Sequence, residues 1–523
     1  FGKNGEAPND SILYKNLNIH YYDKLQVRPN MLYRWMNYQQ FVRSKQMRAS
    51  NRTRLYSQYR QEQVQEKLSQ LGIFSYLDMQ YAPRDTTAAC DTLDVTMQAT
   101  FAKPLDAELE LNVVTKSNDQ TGPGASFGVT RNNVFGGGES WNVKLKGSYE
   151  WQTGGGEKSS LMNSWEMGLS TSLTFPRVVF PHLGKREFDF PATTTFRLYI
   201  NQLNRAKYYK LLSFGGNATY DFQPSRTSRH SITPFKLTFN VLQHQSAEFK
   251  EIAEANPALY VSLRNQFIPA MEYTYTYDNA SVRRIKNPIW WQSTVTSAGN
   301  ITSLIYRAFG KPFNEEDKSL LGAPFAQFVK LNTELRHLWN IDKNNAIASR
   351  VAVGALFTYG NATIAPYSEQ FYVGGANSIR AFTVRSVGPG GYHPEEGKYS
   401  YLDQTGTFRF EANVEYRFRI FKSFWGATFL DAGNVWLLRK DRKLLADGKE
   451  ARPDSQLRLK TFPKQIALGT GVGIRYDMDI LVFRLDFGIP LHLPYDTDRS
   501  GYYNVTGAFF KNLGIHFAIG YPF

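Results

Sequence analysis

Beyond Pro104 the sequence settles into alternation between apolar and polar residues and does not leave it. Sixteen such runs follow one another. They span Leu105–Thr115, Ala125–Asn133, Trp141–Trp151, Trp165–Phe175, Thr194–Asn204, Ser213–Phe222, Ile232–Leu242 and Phe267–Tyr277, then Trp290–Ile301, Gln327–Trp339, Ala346–Thr358, Thr407–Phe421, Gly426–Leu438, Ile466–Asp477, Ile480–Ile489 and Leu513–Phe523. A period of two is the mark of a strand with one apolar and one polar face. Segments of about ten such residues are what a membrane-spanning β-barrel requires. Connections alternate as well: Asn340–Asn345, Lys422–Phe424 and Asp477–Asp479 are short, whereas Asn361–Gly406, Arg439–Gln465 and Leu491–Asn512 are long. That asymmetry suits a barrel with short turns at one rim and long loops at the other. A soluble all-β protein built from repeated hairpins would need a second sheet to cover so many apolar faces.

Bulk composition fits this reading. Mean hydropathy is −0.42 and no run of about 18 apolar residues occurs, so no transmembrane helix is expected. A barrel with a polar interior has such a profile, and 15% aromatic residues suits interfacial girdles. One cysteine, Cys90, excludes an internal disulfide. The net charge of +15 is read either as contact with anionic lipid headgroups or an acidic partner, or as a solvated basic surface. No nucleic-acid recognition module is present. The chain begins at Phe1, so a processed or truncated product is expected.

Residues 1–103 read differently from residues 104–523. Asn16–Tyr22 alternates as a strand, and Pro29 opens a short helix through Trp35. Ser57 caps a second helix with Val64, Leu68 and Leu71 on one stripe and Gly72 at its left-handed end. Ile73–Tyr81 and Leu93–Phe101 are strands. The pattern predicts a small α+β domain in which two helices cover one sheet face. Arg43–Arg54 is basic and irregular, and Ala247–Arg264 has helical spacing at Phe249, Ile252, Ala253 and Leu259.

Parity sorts the barrel strands. In Thr407–Phe421 the charges and amide Arg409, Glu411, Asn413, Glu415, Arg417 and Arg419 share one face, with aromatic and aliphatic residues on the other. A charge facing lipid at mid-depth costs about 2–4 kcal/mol, so the polar face is the lumen. Gly469, Gly471, Gly473 and Arg475 then point inward, as do Asp431 and Gly433. Three inward glycines leave room for a folded-in loop or let the wall bend. The longest connection holds Phe371, Tyr372, Val373, Ile379 and Phe382 around a single Arg380. An arginine among apolar residues is suited to docking on a carboxylate. Asp431 is the expected partner and Glu415 the second choice. Histidines such as His516 read as inner-face residues, and no nucleophile–base or metal spacing stands out.

Taken together, Ile379-Arg380-Ala381-Phe382, Phe429-Leu-Asp-Ala-Gly433, Gly471-Val-Gly-Ile-Arg-Tyr476 and the terminal Phe523 resemble the BamA/TamA superfamily of outer-membrane assembly factors. Residues 1–103, with Leu71-Gly-Ile-Phe74, resemble its periplasmic POTRA repeat. Ile73–Leu77 and Lys103-Pro104 are closer to the Bacteroidota TamA-like lipoprotein TamL. The resemblance implies a sixteen-stranded antiparallel barrel with the loop folded into its lumen and Arg380 against Asp431. It implies no enzyme activity, cofactor or metal. Its expected partners are outer-membrane lipids, unfolded outer-membrane protein clients, and a periplasmic or inner-membrane-anchored TamB-like partner or lipoprotein subunits. Ala381 departs from the family's glycine, and a positive φ there would be unfavourable by about 1 kcal/mol.

The expected working element is the seam. Strand Leu105–Thr115, with Leu105, Leu109 and Leu111 outward, is predicted to pair with Leu513–Phe523, where Ile515, Phe517, Ile519, Tyr521 and Phe523 face lipid. Pro522 either weakens that pairing or lies just outside the sheet. A passive channel or secretion pore is the competing function.

Overall fold

The computed structural model describes residues 8–36, 58–85, 92–115, 120–152, 164–180, 192–205, 209–247, 265–280, 285–315, 318–320, 323–361, 365–394, 404–440, 452–478 and 481–523, with positions 87, 90 and 250. Near the N-terminus come β1 (Asp10–Tyr14), β2 (Leu17–Tyr21), α1 (Pro29–Met36), α2 (Gln58–Gln70), β3 (Phe74–Pro83) and β4 (Leu93–Phe101). The sixteen alternating runs follow as β5 (Leu105–Thr115), β6 (Gln120–Asn132), β7 (Ser140–Gln152), β8 (Ser164–Phe175), β9 (Ala192–Arg205), β10 (Tyr209–Phe222), β11 (Ser228–Gln245) and β12 (Gln266–Asp278). Next are β13 (Ile289–Ala298), α3 (Asn300–Ala308) and the two-residue pair β14 (Ser319–Leu320) and β15 (Ala323–Pro324). β16 (Phe328–Asn340), β17 (Asn345–Thr358), β18 (Phe408–Phe421), β19 (Phe424–Trp436), β20 (Ala467–Asp477), β21 (Val482–His492) and β22 (Gly514–Ile519) complete the chain.

All sixteen predicted runs are strands of one antiparallel sheet, ordered from β5 to β22 with only the β14–β15 pair set aside. Parity holds along most of it, with β-bulges shifting the register at Ala218/Tyr220, Thr233/Lys236, Arg419/Phe421 and Leu468/Gly469. On β18, Glu411, Asn413 and Glu415 are buried inside while Val414 and Tyr416 are exposed outside. One apolar cluster joins Ile268, Ala298 and Phe328 of β12, β13 and β16 to Val435 and Ala467 of β19 and β20. The sheet therefore curls round a filled interior. The cluster also contains Phe371, Val373, Ile379, Ala381 and Phe382 of the connection between β17 and β18. The inner residues at this end are apolar because they meet a folded loop rather than water.

Four expectations need correction. First, β5 and β22 do not pair: they stand at the two ends of the strand order, and among the described residues no ladder joins them. The last strand is six residues long and shares only Phe483–Gly488 with its neighbour. Second, that strand stops at Ile519. Gly520 has φ +87°, and the turn places Tyr521 and Phe523 beneath the inward Arg417 instead of along the outer face. Pro522 lies outside the sheet. Third, the strand predicted to reach Ile301 ends at Ala298, where left-handed Gly299 (φ 69°) turns the chain into α3. Fourth, the N-terminal strands form two hairpins, β1–β2 and β3–β4, not one helix-covered sheet. The described apolar core of this unit (Ile19, Met31, Leu32, Leu68, Phe74 and neighbours) packs both hairpins against the helices. Gly72 is left-handed (φ 66°) at the end of α2. Residues 43–54 and the helical spacing from Phe249 to Leu259 lie outside the described residues.

Candidate functional site: a loop braced inside the barrel

The β17–β18 connection reaches its lumen position through two left-handed glycines, Gly374 and Gly375 (φ 101° and 93°). The Gly375 amide donates to Phe382 O at 2.7 Å and the Ser378 amide to Gly375 O at 3.1 Å, which folds the tip into a compact turn. Ser378 Oγ accepts from the Gly374 amide and donates to Glu411 at 2.6 Å. The turn thus presents Arg380 and the apolar pair Ile379 and Phe382 in different directions.

Arg380 is 1% exposed. Its Nε and Nη2 donate to Asp431 Oδ2 and Oδ1 at 2.8 and 2.9 Å, a planar two-point contact. The Arg380 amide donates to Asp431 Oδ2 as well, at 3.0 Å, so side chain and backbone of one residue share one carboxylate. Nη1 pairs with Glu415, and the guanidinium lies 3.5 Å from the Phe429 ring centroid. The two carboxylates proposed from parity as alternatives are both engaged. The expected strain at Ala381 is absent, because Arg385 (φ 58°) is the one non-glycine with positive φ in the described part of the connection.

Register explains why the wall fits the loop. Glu415, Phe429, Gly471, Gly488 and Gly514 stand opposite one another across β18 to β22. The last three form a trough without side chains. A Cβ at Gly488 would stand 2.6 Å from Arg380 O, and one at Gly514 3.1 Å from it. The three predicted glycines serve separate purposes: Gly469 clears the Ala381 methyl, Gly471 clears the Phe429 ring, and Gly473 clears Arg475 and Asp486. Gly433 permits close approach to β18, where a Cβ would meet Phe410 O at 2.5 Å. Replacing Gly488 with valine is therefore expected to unseat the loop by about 1–3 kcal/mol without removing a charge. Trypsin cleavage after Arg385 in the folded, detergent-solubilised protein should rise, and an unchanged rate would show that the trough has room to spare.

Several participants were not assigned to the brace from sequence, although Arg417, Arg475 and His516 were read as inward. Arg475 reaches Glu415 at 3.1 Å and Asp486 at 2.6 Å, Arg417 reaches Glu415 at 2.7 Å, and Arg484 Nη2 donates to Asn377 Oδ1 at 2.6 Å. Arg350 on β17 contacts Glu411 at 3.2 Å. On the final strand, His516 Nε2 donates to Arg380 O at 2.7 Å. The loop tip thus touches six consecutive strands, β17 to β22, and its last contact is with the strand that ends the sheet.

The outer residues at the two free edges are exposed, as they are along the rest of the wall. Leu109 and Leu111 on β5 are 67% and 74% exposed and Phe517 on β22 is 67% exposed, close to Leu198 on β9 (64%) and Phe235 on β11 (63%). Leu105, Ile515 and Ile519 are also exposed.

A model of the Omp85 superfamily domain matches residues 133–523. Among solved structures, the chain is similar to BamA from Haemophilus ducreyi lacking POTRA domains 1–3, with TM-score 0.56 and 13% identity over 88% of this chain and 77% of that one. It is also similar to CdiB from Acinetobacter baumannii, with TM-score 0.46 and 12% identity over 84% of this chain and 66% of that one. Identities this low bear on the fold alone.

Proposed function

Because this chain belongs to the Omp85 superfamily, whose barrels serve assembly or secretion at the outer membrane, we propose that it inserts client β-barrel proteins into that membrane without enzymatic chemistry. The observation that carries the reading is that, among the described residues, β5 and the six-residue β22 each present an edge joined to no further strand. An edge strand offers a row of amides and carbonyls, and an incoming strand satisfies them by adding to the sheet. The brace fixes the neighbouring wall, since His516 ties β22 to the loop from inside, while among the described residues no ladder uses the other edge of β22.

A dedicated secretion pore is less well supported, because the seated loop and its apolar cluster fill one end of the lumen. Glu415, Asp431 and Asp486 each lie within ion-pair distance of an arginine. In this reading residues 1–103 are a periplasmic POTRA-type unit receiving clients or a TamB-like or lipoprotein partner, and the protein belongs with the TamL group. Contacts from Arg28 N to Gly136 O (2.7 Å) and Asn133 Nδ2 to Gln26 O (2.8 Å) seat that unit against a short turn of the barrel. Depleting the protein and quantifying the outer-membrane proteome tests the reading. Loss of many β-barrel proteins is expected, and loss of one secreted substrate with the rest intact would replace insertion by secretion.

A further inference from the structure

Helix α3 is oriented inside out. Its polar residues Thr302 and Ser303 are buried, whereas Ile301, Leu304, Ile305 and Phe309 are exposed on one face, Phe309 by 85%. A helix on a water-soluble surface shows the reverse. The arrangement is held firmly. Gly299 starts the helix in a left-handed conformation, and Lys311 N donates to Tyr306 O at 3.1 Å beyond left-handed Gly310, closing its end. Buried Lys318 donates to Ser303 Oγ at 3.0 Å, Tyr306 OH donates to Ser319 O, and Tyr359 OH donates to Asn300 Oδ1 at 2.8 Å. The apolar face is thus turned away from the protein by a specific set of bonds.

Its position identifies what covers it. β13 is the ninth strand of the sixteen counted from β5, so α3 stands half-way round the wall from the free edges. It lies at the rim remote from the N-terminal unit, directly after an outer face carrying Trp291 and Val295, both exposed like the rest of the apolar belt. Exposed Arg307 and Lys311 sit at its C-terminal end. An apolar face continuous with a lipid-facing belt and flanked by cations fits the interface of a bilayer with anionic headgroups. We propose that α3 is an interfacial anchor that lies in the headgroup zone and fixes the wall opposite the seam to the membrane.

The test uses the full chain with Cys90→Ser, reconstituted in phosphatidylcholine–phosphatidylglycerol vesicles and carrying a polarity-sensitive fluorophore at Ile305→Cys or Phe309→Cys. Both positions are already exposed, so labelling leaves the core intact. Leu459→Cys, at a loop residue 89% exposed, is the aqueous reference, and Leu198→Cys is the reference for the wall. The expected depth is about 5–10 Å into the headgroup–acyl boundary. Nitroxides placed near the lipid headgroups should quench the α3 labels several-fold more strongly than aqueous iodide does, with the opposite preference at Leu459. Iodide quenching equal to that at Leu459 would overturn the proposal. Protection from both quenchers would overturn it as well, because a second copy of the chain would then be covering the helix.

Discussion

Replacing Arg380 with alanine is expected to release the loop from the lumen while leaving the sheet in place. The pair is dry, with Arg380 1% exposed and Asp431 and Glu415 fully buried. Deleting Arg380 leaves Asp431 without its arginine as an uncompensated buried charge, at about 3–5 kcal/mol, whereas Glu415 keeps Arg417 and Arg475. An exposed pair would contribute only about 0–1 kcal/mol. The loss falls on the loop, because the strand ladders on both sides of Asp431 do not depend on it. Trypsin cleavage after Arg385 should accelerate by about 100-fold or more if opening is fast relative to cleavage. Lysine at 380 should rescue little, since it lacks the planar fork that spans Asp431 and stacks on Phe429. An unchanged digestion pattern would mean that the apolar cluster around Ile379 and Phe382 holds the loop without the arginine.

The brace was partly legible in the sequence for a simple reason. Period-two alternation fixes which side chains point inward, and short turns such as Lys422–Ser423 fix the register between neighbouring strands. Together these put Glu415, Asp431 and the glycines of β20 on one wall, and the apolar stretch Phe371–Phe382 with its lone arginine required such a wall. Arg475 was read as inward with them, and Gly488 and Asp486 were legible by the same logic, since they face inward opposite Gly471 and Gly473, but register had to be carried one strand further. The multiple engagement of Arg380 was not legible, because parity names candidates on a wall without saying how a loop will approach them. Ala381 was read against a family glycine, whereas its backbone is unstrained and the space for its methyl is supplied by Gly469 on another strand.

The misses share a cause. Alternation through Trp290–Ile301 runs on without a break into α3, and the helix is signalled only by Gly299 followed by Ile301, Leu304 and Ile305 at helical spacing. Tyr521 and Phe523 were assigned to the lipid face because parity cannot show the positive φ at Gly520. Closure of the barrel is the least legible feature. Pairing β5 with β22 joins the two ends of a sheet of sixteen strands, and no local pattern sets how well their edges fit. A short last strand, a turn at Gly520 and Pro522 beyond it all limit the length available for pairing.

Locking that seam has the largest expected effect on function, and it tests the central claim that clients are received at the free edges. Cysteines placed in turn at Glu108, Leu109 or Glu110 on β5 and at His516, Phe517 or Ala518 on β22, with Cys90→Ser, give a set of candidate cross-links. The pair that oxidises most completely is then used. Each partner on its own is the control for damage by substitution, His516 above all, since it also donates to Arg380 O. The direct measurement is insertion of a newly synthesised β-barrel client into vesicles containing the cross-linked protein, before and after adding reductant. Insertion is expected to be lost in the oxidised state and to return on reduction. Undiminished insertion by a fully cross-linked seam would contradict the claim.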